Sequence, residues 1–287
     1  MRTLLTFAGL IALAGCAIIV VPDDGSGVHY ETAFGGSGVA GNGQHQSEQR
    51  DVASVTGLDV NGPLQVEVRV GPAPSLQLDA DSNLLAMVKT DSSGDRLRIW
   101  IDGRIQGGQP VHVVYTTPRL NRVESSGSGA LTVSGLNGGA LNLSQNGSRS
   151  TQLSGAVSRL DVSVNGSGGV NAAGLDSGAT TASLHGSGKL DLGQVRGEVL
   201  NLEVHGSGGV RASGKARMLN VRLHGSGSAD LADLRSDGAD LATYGSGSIS
   251  AGVEQTLVAE TSGSGHITVY GNPAQRSISG KHVSVMQ

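Results

Sequence analysis

From Val123 onward the chain alternates apolar and polar positions with a period of two, and small-residue pulses interrupt the alternation at regular intervals. In the stretch "VLNLEVHGSGGVRA", Leu200, Leu202, Val204, Gly206, Gly208, Val210 and Ala212 form one set. Asn201, Glu203, His205, Ser207, Gly209 and Arg211 form the other. Side chains along a strand point alternately to opposite faces, so the first set predicts an interior and the second a solvent face. The same split recurs at Leu160, Val162, Val164, Gly166, Gly168, Val170 and Ala172, and again from Leu219 to Leu231. Both glycines of each pulse fall on the interior register.

The pulses set the architecture. The first Gly of each Gly-Ser-Gly unit stands at 127, 166, 186, 206, 225, 245 and 263, with a degenerate Asn-Gly-Ser at Gly147. Successive intervals are 20, 19, 20, 20, 19, 20 and 18 residues. A constant period near twenty with short alternating strands is the mark of a solenoid. The fold class predicted is all-β: a single-stranded, right-handed β-helix with coils of about twenty residues, preceded by a β-rich N-terminal section. A second turn at Gly135, Gly174, Gly193, Gly214 and Gly252 gives each coil three short sides. Arg149 occupies the place of a second inward Gly, which predicts a bulge or a splayed coil there.

Ahead of the repeat, "GLDVNGPLQVEVRVG", "SLQLDADSNLLAMV", "DRLRIWIDG" and "VHVVYTTPRL" read as strands between Gly-, Pro- and Ser-rich turns. Asn83 to Lys89 could supply one helical turn. The opening "MRTLLTFAGLIALAGC" differs in kind. Arg2 precedes an apolar run from Leu4 to Ala14, too short to span a bilayer, and Leu13-Ala14-Gly15-Cys16 follows. This resembles a bacterial lipoprotein signal in which Cys16 becomes the acylated, palmitate-bearing N-terminus. Ala17 after the cysteine implies the outer membrane of a Gram-negative envelope. The organisation expected is a signal peptide over 1–15, a flexible tether over 16–46, the β-rich part over 47–122 and the repeat over 123–287. The final "RSISGKHVSVMQ" is expected to form a strand that closes one end.

Composition narrows the partners. The net charge of −4 offers no basic surface for nucleic acid. Cys16 is the only cysteine, so no disulfide forms within the chain. Before each Gly-Ser-Gly the outward column reads Ser126, Asn146, Asn165, His185, His205, His224, Tyr244 and Ser262. The three histidines are the candidates for a shared zinc or copper ion, but a ladder of stacked polar rings explains them more simply, and no cofactor is expected. Ser128, Ser148, Ser167, Ser187, Ser207, Ser226, Ser246 and Ser264 form a hydroxyl ladder beside only three imidazoles, not a triad. Asp161, Asp191, Glu203, Asp230 and Asp240 scatter over different columns rather than pairing for sugar hydrolysis. Tyr244 and Tyr270 are the only repeat aromatics for a sugar to stack on.

The segments "VTGLDVNGPLQVEVRVG", "LDADSNLLAMVKTDSSGDRLRIWIDG" and "VHVVYTTPRLNRVESSGSGALTV" resemble the opening of the bacterial head GIN domain family, over roughly residues 50–280. The resemblance implies a secreted or lipid-anchored β-helix and brings no catalytic residues. The function expected is a lipid-anchored envelope protein acting as a binding or adhesion surface for a glycan or another envelope protein. The alternatives are a structural or envelope-stress scaffold and a carbohydrate-active β-helix enzyme. Two copies could also pair through the ends of the helix, where strand edges are open.

Overall fold

The computed structural model describes residues 38–286 together with Ile18–Val20 and Tyr30–Thr32. The expected signal peptide and Cys16 lie outside the described residues. Strands β1 (Ile18–Val20) and β2 (Tyr30–Thr32) pair antiparallel. The main sheet begins with β3 (His45–Arg50), β4 (Gly57–Asn61), β5 (Leu64–Val70) and β6 (Ser75–Asp81). A helical turn α1 (Ser82–Leu85) leads to β7 (Val88–Ser93), β8 (Arg96–Ile101) and β9 (Val111–Thr117). Next come β10 (Arg122–Gly127), β11 (Gly129–Asn137) and β12 (Ala140–Gly147). Six long strands follow: β13 (Ser150–Gly166), β14 (Gly169–Gly186), β15 (Lys189–Gly206), β16 (Gly209–Gly225), β17 (Ser228–Gly245) and β18 (Ser248–Gly263). The stack ends with β19 (His266–Tyr270), β20 (Gln275–Ser279) and β21 (Val283–Met286).

The long strands are the predicted coils. Each lies parallel on the next in register, so Leu184, Val204 and Leu223 form one buried column and Leu202 and Val221 another. Between β15 and β16 the ladder runs over 189–191, 194–197 and 199–206, with a register shift after the first run. A coil therefore has three flat sides, and the inward Val, Leu and Ala side chains of successive coils fill one continuous core.

The corner explains the small-residue pulse and corrects the reading of its glycines. Only the second Gly points inward. A Cβ on Gly208 would sit 2.7 Å from the carbonyl oxygen of Gly188 in the coil before it. The first Gly is half-exposed and turns the chain: Gly206 has φ +118°, which side-chain-bearing residues rarely adopt. The two amides that follow, of Ser207 and Gly208, both donate to the Gly186 carbonyl at 3.0 Å. Corner backbone groups are thus satisfied by the corner of the neighbouring coil.

Arg149 does not splay its coil. β12 runs in unbroken register with both β10 and β13. The side chain turns inward and is fully buried. Its guanidinium donates to the carbonyls of Gly62 at 2.6 Å and Leu64 at 2.7 Å, and more weakly to Ser126 and Ala130. Its side chain passes the intervening corner, Gly127 to Gly129, to reach the coil beyond. Burial pushes its pKa down to about 10, so it stays charged at neutral pH, and four carbonyl dipoles stand in for a counter-ion.

The N-terminal region joins the same 19-stranded sheet, but out of order. β10 lies between β12 and β4, and the other neighbour of β4 is β8. Likewise β11 lies on β5, and β5 on β9. Residues 57–70 are therefore sandwiched between 96–117, which come later in the chain, and 122–137. Antiparallel strands finish this end: β7 on β8, β6 on β9 and β3 on β6. They replace an open parallel edge with a polar cap. Arg50 clips that cap, donating to the Val88 carbonyl at 2.7 Å and the Leu85 carbonyl at 3.2 Å.

Two boundaries shift. The helical turn expected over 83–89 is α1, because Val88 already pairs with Ile101 in β7, while Leu84 and Leu85 are drawn into the core. Residues 38–46, expected to belong to the tether, are docked. Val39 exchanges backbone hydrogen bonds with Arg104 and Gln106, and the Asn83 amide donates to the Ala40 carbonyl at 2.7 Å. At the other end β20 and β21 add one partial coil. Ile278 and Met286 stay 46% and 49% exposed, so the final segment extends the stack and leaves its edge uncovered.

Candidate functional site

The residue just before each corner takes the last outward position of a long side, so in-register stacking lines these residues up. The pairings join Ser126 to Asn146, Asn165, His185, His205, His224, Tyr244 and Ser262, as the sequence spacing predicts. The out-of-order coils lengthen the column: Asn61 lies beside Ser126, and Trp100 beside Asn61. Trp100 and Asn61 were not identified as site residues from the sequence. A local signal existed in "RLRIWI", where Leu97 and Ile99 are inward and Trp100 must be outward. Which column Trp100 joins depends on the non-sequential pairing of β8.

Side-chain contacts run along the column. The Asn165 amide donates to Asn146 Oδ1 at 3.1 Å. The rings of His185 and His205 stack at 4.8 Å with planes 6° apart, and those of His205 and His224 at 4.7 Å and 4°. Tyr244 continues the stack 4.8 Å from His224. His205 Nε2 lies 2.7 Å from Glu203 Oε1, which places the proton on Nε2. That hydrogen bond holds the Glu203 carboxyl below its ordinary pKa, and the nearby His205, His185 and His224 charges add to the effect.

This geometry bears on the metal question. Stacked, nearly parallel rings point the in-plane lone pairs of neighbouring imidazoles side by side rather than toward a common ion. His185, His205 and His224 hold that arrangement, with ring centroids 4.7–4.8 Å apart and planes within 6°. Two of the carboxylates, Asp240 and Asp230, are held by arginines. Arg222 grips Asp240 through two hydrogen bonds of 2.7 and 3.1 Å, which raises the guanidinium pKa, and Arg211 reaches Asp230 at 3.1 Å. The expected scatter over different columns is only partial: Asp191, Arg211 and Asp230 share one column and line a shallow groove of about 400 Å³, and Asp161 and Asp240 share another, separated by three coils.

At the capped end, a hollow of about 150 Å³ is lined by Asp59, Asn61, Arg98, Ile99 and Trp100. The Arg98 guanidinium lies 5.8 Å from the centre of the Trp100 ring, and its Nε is 3.4 Å from Asp59 Oδ2. Among the described residues, no helix is long and apolar enough to cross a membrane.

The sequence profile described as "Putative auto-transporter adhesin, head GIN domain" matches residues 55–193 and 175–273, well over half of the chain. The chain belongs to the head GIN domain family. Its two matched spans overlap within the repeat, as expected of a domain whose coils resemble one another. Solved structures share the fold. A "putative lipid binding protein" from Parabacteroides distasonis superposes with a TM-score of 0.67 at 19% identity, covering 88% of this chain and 100% of that one. A "putative adhesin" from Parabacteroides merdae gives 0.67 at 18% identity, with coverages of 88% and 100%. Another "putative adhesin" from P. distasonis gives 0.65 at 20%, covering 87% and 99%. Such identities establish the head GIN fold and nothing about a shared ligand. Comparison with curated proteins finds no match.

Proposed function

We propose that this head GIN protein is a lipid-anchored envelope protein whose solenoid presents an adhesive binding face, without catalysis, to an extended partner such as a glycan or an envelope protein. The observation that carries the reading is the uninterrupted outward column. On a rigid support, polar side chains recur at strand spacing from Trp100 to Ser262. An extended ligand lying along it meets similar groups at every coil, so weak contacts add. The Leu-Ala-Gly-Cys16 sequence supports acylation of Cys16, and Ala17 after it supports the outer membrane as the site of attachment.

Two measurements test this. Expressed in a Gram-negative host, the full chain should incorporate labelled palmitate and fractionate with outer membrane, and Cys16→Ser should abolish both. Soluble labelling with no dependence on Cys16 would overturn the anchor. Glycan-array binding together with cross-linking in intact cells tests the face. If substitutions placing carboxylates along the Asn146 to Tyr244 column left every captured ligand bound, the face would not be the binding surface.

A further inference from the structure

We infer that the hollow at Trp100 is a subsite for one neutral sugar ring. The inference rests on the binding-face reading above and names a ligand class for one point on it. Trp100 is the only tryptophan in the chain, and its strand register sends it to the solvent face rather than into the core. A large apolar ring held at a surface invites an amphipathic partner with an apolar face and a polar rim. A pyranose is such a partner: one face presents C–H groups and the rim presents hydroxyls.

The surrounding groups supply the polar half. Asp59 is an acceptor, Arg98 a donor and Asn61 both. β4 and β8 run side by side here, with Asp59 opposite Arg98 and Asn61 opposite Trp100, so the four side chains share one wall. Asn61 is the exposed last residue of β4 and lines the hollow, so its amide can reach a ligand there. Two adjacent hydroxyls can donate to the Asp59 carboxylate and accept from Arg98 or Asn61 while the C–H face rests against the indole. The ion pair of Arg98 with Asp59 cancels the local charge, so the site favours a neutral hexose over a uronate. A hollow of about 150 Å³ matches the size of a single ring. The wall exists only because β8 lies outside β4; in a solenoid stacked in chain order, Trp100 and Asn61 would not be neighbours.

The single tryptophan makes the test direct. Methyl glycosides of glucose, galactose and mannose would be titrated into the full chain while Trp100 emission is followed, with methyl galacturonate as the acidic comparison. The expected result is a saturable emission change with at least one neutral glycoside and a weaker one with the uronate. Asp59→Asn, which keeps the reporter, should weaken binding about tenfold, the loss of one hydrogen bond to a charged group. Trp100→Phe, read by calorimetry with circular dichroism confirming the fold, should weaken it further than Asp59→Asn.

Glycan binding on an array with Trp100 emission unchanged and Trp100→Phe at full affinity would overturn the subsite while leaving the binding face standing. Selective cross-linking of an envelope protein along the column, with no saccharide bound anywhere, would overturn the sugar assignment and leave adhesion intact. Tighter binding of the uronate would overturn the neutral-ligand inference.

Discussion

Between Gly186 and Gly206 the chain climbs one rung, and its next neighbour in space is its next neighbour in sequence. Between Gly57 and Thr117 the order is broken: the earlier segment is the inner rung, the later one the outer, and three antiparallel strands close the end. The two regions share one sheet and one core but solve different problems. In the repeat, identical coils stack, and glycine is required where two corners meet. At the capped end, unlike segments must be held in a non-sequential order by individual side chains such as Arg149 and Arg50. Regularity comes from steric exclusion in the first region and from specific hydrogen bonds in the second.

That contrast can be broken at both places. The largest effect is expected in the repeat. Gly206→Val puts a branched side chain at φ +118° with its Cβ 2.5 Å from the Gly186 carbonyl oxygen. Strain and overpacking together should cost roughly 3–5 kcal/mol, read as a shift in guanidinium midpoint. Arg149→Ala should cost about 2–4 kcal/mol, because a buried donor set is removed and a void remains. Its signature should be regional: hydrogen exchange should accelerate in β4, β5, β8 and β9 before β15 and β16. Arg149→Met restores volume without donors, so if it recovered full stability the carbonyl clip would carry no weight. Arg50→Ala should cost roughly 2 kcal/mol and expose β7 to proteolysis without altering the repeat.

The smallest effects belong to the outward column. His205→Ala removes one ring from the middle of the stack and should cost about 0.5–1.5 kcal/mol. Glu203 has a folded-state pKa below its ordinary 4.5. Its bond to His205 therefore adds stability above about pH 4.5, and that increment disappears as pH falls through the lowered value. Solvent screening keeps it under about 0.5 kcal/mol. An acid titration comparing wild type with Glu203→Gln should show the two curves converging below pH 4.5; curves that stayed parallel would show that the bond has no energetic weight.

The repeat was legible because its rules are local and periodic. Positions of Val204, His205 and the inward Gly208 follow from alternation and a twenty-residue interval alone, and stacking in register then dictates which histidines touch; the turn at Gly206 does not. Arg149 shows where that logic stops. A charged residue at an inward position reads as a defect until carbonyls from Gly62 and Leu64, more than eighty residues away in sequence, are found within its reach. Trp100 is the same case at the surface: alternation places it outward, but nothing local says that Asn61 and Asp59 will stand beside it. The docking of residues 38–46 was hidden for a related reason, since a Gly-rich segment carries little pattern of its own and gains order from Arg104, Asn83 and Gln106.

By itself the sequence determined the coil, its length, its inward and outward faces and the column of rings, because each is enforced by strand periodicity and by the space between neighbouring backbones. Only the tertiary structure decided the rung order at the capped end, the buried seat of Arg149 and the gathering of Asp59, Asn61, Arg98 and Trp100 on one wall. Those depend on which segments separated along the chain come to share hydrogen bonds, and a non-sequential pairing leaves no period to read.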